Sequence, residues 1–278
     1  MTSGFSRTWK RAHPDKAGSH VLRILLKPDP TYDRRRYPRR RYASLVTQNQ
    51  PFDWVGVVGR GRAGRAIGAR LVQAGIRVLD EHVSRECAAD DRALVVLAVP
   101  DAAIFQTAAT IPLGSWVAHV SGATPLDALA PHVQRFSVHP LQTLVAWRGP
   151  EQLDGAAAAV TAETDEGRAR AYWLAHILRL APFDLADALR PLYHAGAALA
   201  SNYVVTLYRA AAALVEAAGA PAGALLPLVR RTVENQFELT GPISRGDWST
   251  VERHLDALAR HRPDLLPLYR ALADATRP

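Results

Sequence analysis

The sequence is poor in the residues that build extracellular, metal-binding or membrane-spanning proteins. Its 278 residues include one cysteine, Cys87, so an internal disulfide is excluded. No cluster of Cys and His has the spacing of a metal site. The strongest continuous apolar run covers residues 94–99, far below the roughly 18 to 20 residues that span a bilayer. The first 30 residues lack a signal-peptide core, so a cytoplasmic protein without a metal is expected.

Lysine is confined to the N-terminal segment, where Lys10, Lys16 and Lys27 are the only three in the chain. The rest of the chain therefore cannot use a lysine as general acid or Schiff-base nucleophile. Residues 1–50 combine three lysines and nine arginines with three aspartates, a net charge of +9, which leaves −1 for residues 51–278. We expect a disordered basic extension that attracts nucleic acid or anionic lipid only non-specifically, followed by a nearly neutral folded body.

A glycine-rich turn stands out in residues 53–68, DWVGVVGRGRAGRAIG, which contain the pattern Gly59-x-Gly61-x-x-Gly64. A short apolar strand precedes the pattern and a helical stretch follows it, as in the first turn of a dinucleotide-binding βαβ unit. The first glycine permits the tight turn, the second lets a pyrophosphate approach the backbone, and the third lets the helix pack on the strand. A diphosphate site is favoured over a purely structural turn.

The residues leave the choice between NAD and NADP open. Asp80 lies about 20 positions after the glycines, where an acidic side chain binds the ribose hydroxyls of NAD. Arg60, Arg62 and Arg85 could instead contact the 2′-phosphate of NADP, since a guanidinium fork suits phosphate geometry. The predicted cofactor-binding residues are Gly59, Arg60, Gly61, Arg62, Ala63, Gly64, Asp80, Val99 and Pro100.

The order of apolar segments predicts an α/β fold, a Rossmann-type doubly wound parallel sheet followed by an all-α C-terminal domain. Further strands are expected at residues 76–80, 94–99, 117–120 and 155–162, while residues 136–143 lead from a strand into a loop. Helical periodicity then begins at Glu166, so the sheet domain is placed at residues 51–165 and the helical domain at residues 166–278. Only eleven residues separate Asp80 from Arg92, too few for both a crossover helix and another strand.

Polar side chains that could carry chemistry occur in three places. In LYHAGAALASNY, His194, Ser201 and Asn202 lie near one face of a predicted helix among small residues. His139, Gln142 and Thr143 follow a buried strand, and Arg245 lies in a glycine- and proline-bounded loop. An imidazole can exchange protons near neutral pH, and an arginine can bind a carboxylate through two hydrogen bonds. Structural alternatives are a satisfied helical histidine, a capping loop and a contact between Arg245 and Asp247.

Seven motifs together resemble one known family: GVVGRGRAG, LAVPD, HVSGA, HPLQT, LYHAGAALASNY, LLPLVRRTVEN and LTGPISRGDWSTVERHL. They are similar to the Rossmann-like NADP-binding oxidoreductases whose C-terminal helical domain has no known function. That family is similar to the 6-phosphogluconate dehydrogenase-like superfamily, which includes ketopantoate reductase, pyrroline-5-carboxylate reductase and prephenate dehydrogenase. The resemblance covers residues 52–278. It favours NADP and implies a helical domain that forms a homodimer, with a substrate cleft between the two domains.

The chain departs from the related enzymes at two points. Ketopantoate reductase carries a catalytic lysine on the corresponding helix, where this sequence has His194. The segment after Asp80 is also shorter than the family pattern. A homodimer is expected independently, because residues 190–218 are apolar or small around most of the predicted helix and need burial on more than one side.

These features predict an NAD(P)-dependent oxidoreductase that transfers a hydride to or from a C=O or C=N carbon of a small polar, anionic substrate. The expected catalytic residues are His194 as general acid, Asn202 and His139. The expected substrate-binding residues are Ser121, Gly122, Gln142, Thr143, Ser201 and Arg245. The alternative is a repurposed Rossmann protein, either a non-catalytic nucleotide- or metabolite-binding scaffold or a redox-neutral enzyme for cyclisation or elimination that uses His194 or His139 as base.

Overall fold

A computed structural model describes residues 50–79 and 91–277. Within these residues the chain forms two compact units that divide between Ser201 and Asn202. We call residues 50–79 and 91–201 the sheet unit, and residues 202–277 the helical unit. The proposed basic extension, Asp80, Arg85 and most of the short connection before Arg92 lie outside the described residues.

The sheet unit contains one seven-stranded sheet of order β2-β1-β3-β4-β5-β6-β7. Neighbouring strands are parallel except for the antiparallel pair β5 and β6. The strands are β1 (Trp54–Val58), β2 (Val78–Leu79), β3 (Ala93–Leu97), β4 (Trp116–His119), β5 (Arg135–Pro140), β6 (Ala157–Ala162) and β7 (Ala181–Asp184). The helices are α1 (Arg62–Gln73), α2 (Ile104–Ala108), α3 (Asp165–Ile177) and α4 (Arg190–Ala198).

Strand β3 explains why helices cover both faces of the sheet. All five of its residues are buried, as expected for an unbroken apolar run in a parallel sheet. Leu94 and Val96 pack in a cluster with residues of α1 and α3, whereas Val95 and Leu97 pack with α2 and the turn Leu126–Leu129. Alternate side chains of a strand point to opposite faces, so this division confirms the predicted doubly wound α/β fold.

The structure departs from the sequence predictions in the second half of the sheet. β6 was expected to be parallel and is antiparallel to β5. Residues after Glu166 were expected to be helical and separate, but α3 buries Ala171 and Leu174 in the sheet core and β7 pairs with β6. The division after Ser201 therefore differs from the predicted boundary at residues 165/166. Helical periodicity identifies an apolar face but not the domain that the face packs against.

A long apolar helix continues from the sheet unit into the helical unit. It comprises α4, a π-helical segment (Leu199–Tyr203) and α5 (Val204–Ala217), followed by α6 (Leu225–Glu234), α7 (Trp248–His261) and α8 (Leu266–Thr276). By length and composition the span Asp187–Ala217 could cross a membrane, and 6% of its most apolar window is buried. Sequence analysis expected no membrane-spanning segment because it counted unbroken apolar runs, whereas this helix is apolar on average and is interrupted by polar residues.

Candidate nucleotide-binding and active site

The three glycines of the fingerprint are constrained by different atoms. Gly59 has a φ of +115°, and a Cβ there would lie 2.4 Å from the carbonyl oxygen of Ala98. A Cβ on Gly64 would lie 1.8 Å from the carbonyl oxygen of Gly59. A Cβ on Gly61 would have nothing within 4 Å. The fold itself therefore requires the first and third glycines, whereas the described protein atoms do not require the second.

The helix that follows these glycines offers backbone donors for an anion. Gly61 is the N-cap of α1, and neither a capping side chain nor an acidic residue occupies the first turn. The first N–H groups of a helix have no partner within the helix, and the helix dipole attracts negative charge. The predicted residues Arg60, Arg62 and Ala63 lie around this turn, with both arginine side chains exposed. These groups fit a pyrophosphate.

The contact between Gly59 and Ala98 places the carboxyl end of β3 beside the glycine turn. Val99 and Pro100 follow Ala98 directly, and β1 and β3 are parallel neighbours in the sheet. In open α/β sheets, ligands bind outside the carboxyl ends of the strands. Both predicted residues thus lie at the edge of the sheet where the fold places a nucleotide.

A second group of residues surrounds Gly122, just beyond the carboxyl end of β4. A Cβ on Gly122 would lie 2.7 Å from Cδ2 of His194 and 2.8 Å from Cε1 of His139. The two imidazole rings have centroids 6.1 Å apart and an interplanar angle of 76°. Gly122 therefore lets one histidine from β5 and one from α4 approach the same stretch of backbone. The ring of His139 is half-buried, and His194 is exposed.

Tyr193 holds the ring of His139 from the other side. Its hydroxyl lies 2.8 Å from Nδ1 of His139, and the two rings meet edge to face at 5.6 Å. Phe183 of β7 packs against Tyr193 with centroids 6.0 Å apart. Tyr193, itself packed against Phe183, thus fixes the imidazole through a hydrogen bond and an edge-to-face contact.

Arg190 is a fully buried cation one helical turn before His194. It donates hydrogen bonds to the hydroxyl of Thr161, at 2.7 Å, and to the backbone carbonyl of Ser121. The nearest carboxylate oxygen, from Asp187, is 3.9 Å from its Nε. The guanidinium ties α4 to both β6 and the loop after β4.

The buried positive charge affects two histidines. Burial is the main cause that lowers the pKa of His139 to about 4, with further contributions from Arg190 and His194. Burial, Arg190 and His139 likewise lower the pKa of His119, at the end of β4, to about 3. Both rings are therefore neutral near pH 7. A neutral imidazole donates at one nitrogen and accepts at the other.

The remaining predicted residues of the sheet unit make local hydrogen bonds. The hydroxyl of Ser121 accepts from the backbone N–H of Ala123 and of Thr124 and lies 2.9 Å from the Thr124 hydroxyl. The side-chain oxygen of Gln142 accepts from the backbone N–H of Thr143, and both residues are exposed. The hydroxyl of Ser201 donates to the carbonyl of Ala197. The hydroxyls of Ser121 and Ser201 therefore already form hydrogen bonds with the backbone of nearby residues.

Asn202 and Arg245 belong to the helical unit. The shared face predicted for His194 and Asn202 assumed a continuous α-helix, whereas residues Leu199–Tyr203 are π-helical, which changes the angular spacing. Arg245 is exposed. Asp247 caps α7 by accepting from the backbone N–H of Thr250, as expected for an aspartate before a helix.

Sequence analysis missed Arg190, Tyr193, His119 and Thr161. Arg190 precedes His194 by four residues, so their common helical face was a usable signal. The contacts of Tyr193 with His139 and of Arg190 with Thr161 join residues 54 and 29 positions apart, and local patterns do not specify such pairs.

Comparison with known proteins agrees with this architecture. Residues 156–276 match the family model of a domain of unknown function, DUF2520. No curated protein sequence matches the chain. A solved structure described as a "putative NADP oxidoreductase" from Bacteroides fragilis is 19% identical, with a TM-score of 0.66 over 82% of this chain and 98% of that one. A Thermotoga maritima protein is 21% identical, with a TM-score of 0.63 over 80% and 96%.

An imine reductase from Streptomyces aurantiacus is 17% identical, with a TM-score of 0.55 over 80% of this chain and 94% of that one. These similarities confirm the predicted resemblance, a Rossmann-like fold with a DUF2520 region in its C-terminal part. At this level of identity they establish the fold, while the chemistry depends on the residues described above.

Proposed function

We propose that the protein is an NAD(P)-dependent oxidoreductase acting on a C=O or C=N carbon of a small polar, anionic substrate. The observation that carries this proposal is Gly61, where a Cβ would meet nothing within 4 Å although the flanking fingerprint glycines are tightly packed. Packing within the chain does not explain why residue 61 is a glycine, whereas a cofactor pyrophosphate lying against the backbone would require one. The related folds of a "putative NADP oxidoreductase" and an imine reductase support this assignment.

The cofactor would lie with its pyrophosphate at the N-terminus of α1, between Gly59 and Gly64, and pass beside Val99 and Pro100. Arg60 and Arg62 would favour NADP by pairing with its 2′-phosphate, with NAD as the alternative. When bound, the nicotinamide supplies or accepts the hydride at the substrate carbon. The residues of the chain then need only orient the substrate and move the accompanying proton.

We assign the proton transfer to His194, whose exposed ring lies beside Gly122. Neutral His139 would bind the same substrate group through a hydrogen bond, because its lowered pKa of about 4 makes the imidazolium scarce. Gln142 and Thr143 would contact the substrate from the loop after β5. Asn202 and Arg245 belong to the helical unit, and their roles in orienting the substrate and binding its carboxylate stay predictions.

A homodimer is part of the proposal. Of the described residues 202–277, only Val251, Leu258 and Ala273 are buried hydrophobic side chains. The long helix exposes Leu199, Val204, Val205 and Leu207, a set too apolar for a solvated surface. A second copy of the chain would cover this face, and the protein would be cytoplasmic.

Binding of NADPH and NADH tests the proposal. Gly61→Val should weaken binding at least 100-fold, because the side chain fills the approach to the backbone. Gly68→Val is the matched control, since it adds the same side chain two turns further along α1, where a Cβ also has nothing within 4 Å. When the nucleotide is present at 100 times its Kd, the free energy of unfolding of the wild-type protein should rise by about 2.7 kcal/mol.

Calorimetry on the three proteins would decide the question. Equal affinity of wild type and Gly61→Val, or no binding at millimolar nucleotide, would contradict the proposal. Binding without turnover of 2-oxo acids or cyclic imines would instead favour a nucleotide-binding scaffold.

A further inference from the structure

The donor and the acceptor in the hydrogen bond between His139 and Tyr193 can be assigned. Nδ1 of His139 lies 2.8 Å from the Tyr193 hydroxyl. The other ring nitrogen, Nε2, lies 2.9 Å from the Cβ position built on Gly122, next to Cε1 at 2.8 Å. One nitrogen is therefore committed to Tyr193, and the other faces the backbone where His194 also approaches.

The proton in this hydrogen bond belongs to the phenol. Burial raises the pKa of Tyr193, so its hydroxyl stays protonated. The charged groups that act on His139 are Arg190 and His194, which disfavour the imidazolium, and Asp101, which favours it. The balance leaves the ring neutral, and a neutral imidazole nitrogen accepts a hydrogen bond better than a phenol oxygen does. Tyr193 thus donates to Nδ1, and the imidazole proton resides on Nε2.

We infer that Tyr193 is a positioning residue that holds His139 as its Nε2–H tautomer, so that His139 donates a hydrogen bond to a substrate oxygen beside Gly122. This inference rests on the proposed function and adds a specificity to it. A fixed donor requires an acceptor, so the substrate presents a carbonyl or carboxylate oxygen at this point. An ammonium or protonated iminium group would face an N–H and is disfavoured. No proton leaves His139, and His194 remains the acid.

The buried cation strengthens this preference for oxygen. Arg190 is fully buried, and the nearest carboxylate oxygen, from Asp187, is 3.9 Å away. Its field acts on His139 and favours negative charge on an atom bound there. An oxygen that gains charge during reduction is therefore stabilised by both the Nε2–H donor and the guanidinium.

The helical unit contains a second pair of the same type. Nδ1 of His254 lies 2.7 Å from the hydroxyl of Tyr269, and the rings meet edge to face at 5.9 Å. This pair is exposed and joins α7 to α8. Tyr269→Phe is therefore a matched control that removes a histidine–tyrosine hydrogen bond of the same kind in the other unit.

Nitrogen-15 NMR of the imidazoles in the full-length protein tests the inference, with His139→Gln assigning the His139 signals. Near pH 7.5 the wild type should show a protonated Nε2 and an unprotonated, hydrogen-bonded Nδ1. In Tyr193→Phe, Nδ1 should lose its hydrogen-bonded shift, and the Nδ1–H tautomer should become populated. Tyr269→Phe should leave the His139 signals unchanged. A protonated Nδ1 in the wild type, or an unchanged spectrum in Tyr193→Phe, would overturn the inference.

Kinetics provide the second readout, with NADPH and a panel of 2-oxo acids as probes. Tyr193→Phe should lower kcat/KM roughly 10-fold without changing the Kd for NADPH, since a misplaced donor weakens transition-state binding. An altered tautomer with unchanged kcat/KM would show that His139 does not bind substrate and would also overturn the inference. Failure of the proposed function can be distinguished from failure of this inference. If the wild type does not bind NADPH, the proposed function fails, but the tautomer of His139 can still be measured by NMR.

Discussion

The sheet unit and the helical unit satisfy their apolar residues in different ways. In the sheet unit, β3 is completely buried, and both faces of the sheet pack against helices of the same chain. In the helical unit, helices of similar length leave large side chains such as Leu228 and Val233 more than half exposed. The sheet unit thus forms an extensive apolar core within the chain, whereas the described helical unit buries few apolar side chains and has an exposed apolar surface that the proposed second copy would cover.

The two units also differ in how their polar residues are held. Arg190, His119 and Ser137 are fully buried in the sheet unit, and Arg190 connects three elements. In the helical unit, Arg231 and Glu234 form an exposed pair one turn apart. Buried polar groups specify one arrangement because an unmatched partner is costly, whereas exposed pairs contribute little. We expect precise positioning of catalytic groups from the sheet unit.

The largest effect should come from charging the long helix. Val204→Glu combined with Leu207→Glu places two carboxylates on a face that is 47% and 38% exposed at these side chains. Burying them in a dimer interface should weaken association at least 100-fold, about 2.7 kcal/mol. Light scattering and sedimentation at micromolar concentration should show a dimer for the wild type and a monomer for the variant.

Val72→Glu on α1 is the control for this experiment. Val72 is 63% exposed in the sheet unit, so a charge there should change neither oligomeric state nor folding. A monomeric wild type, or a double variant that remains dimeric, would contradict the proposal that the exposed apolar face of the long helix forms a dimer interface.

The next effect concerns the buried guanidinium. Arg190→Met removes the donors to Thr161 and Ser121 and should lower the free energy of unfolding by about 2 kcal/mol. The same change at Arg231, whose pair with Glu234 is exposed, should lower it by less than about 0.5 kcal/mol. Urea denaturation of both variants measures the difference. Equal losses would mean that the buried network does not stabilise the sheet unit.

Acidification should destabilise the sheet unit through its histidines. The folded pKa values of His139 and His119 are lowered to about 4 and about 3, below the ordinary 6.5. The unfolded chain therefore binds more protons between about pH 6.5 and pH 4, and stability falls as the pH falls through this window. Each histidine contributes at most about 1.4 kcal/mol per pH unit.

Unfolding free energies measured between pH 7.5 and pH 4 test this dependence. His119→Gln should flatten the curve, because one of the two groups no longer titrates. A variant curve with the wild-type slope would show that His119 is not held neutral in the folded state.

The sequence predicted the parts of the molecule that depend on local patterns. Predicted segments 94–99 and 117–120 match β3 and β4 within two residues at each end, since unbroken apolar runs mark buried strands. The glycine turn also depends on neighbouring residues. The antiparallel β6, the division after Ser201 and the contacts of Arg190 depend on which distant segments meet. Periodicity carries no information about such partners.

The smallest expected effect compares two helical glycines that have equal space in the single chain. A Cβ on Gly68 of α1, or on Gly196 of the long helix, would have nothing within 4 Å. Gly68→Ala should raise the free energy of unfolding by about 0.5 to 1 kcal/mol, because alanine loses less backbone entropy in a helix. Gly196→Ala should give a smaller gain or a loss, because the proposed second copy packs against the long helix and a methyl group there would hold it away. Denaturation of both variants at the same micromolar concentration measures the contrast. Equal gains would place Gly196 in solvent and exclude its part of the helix from the dimer interface.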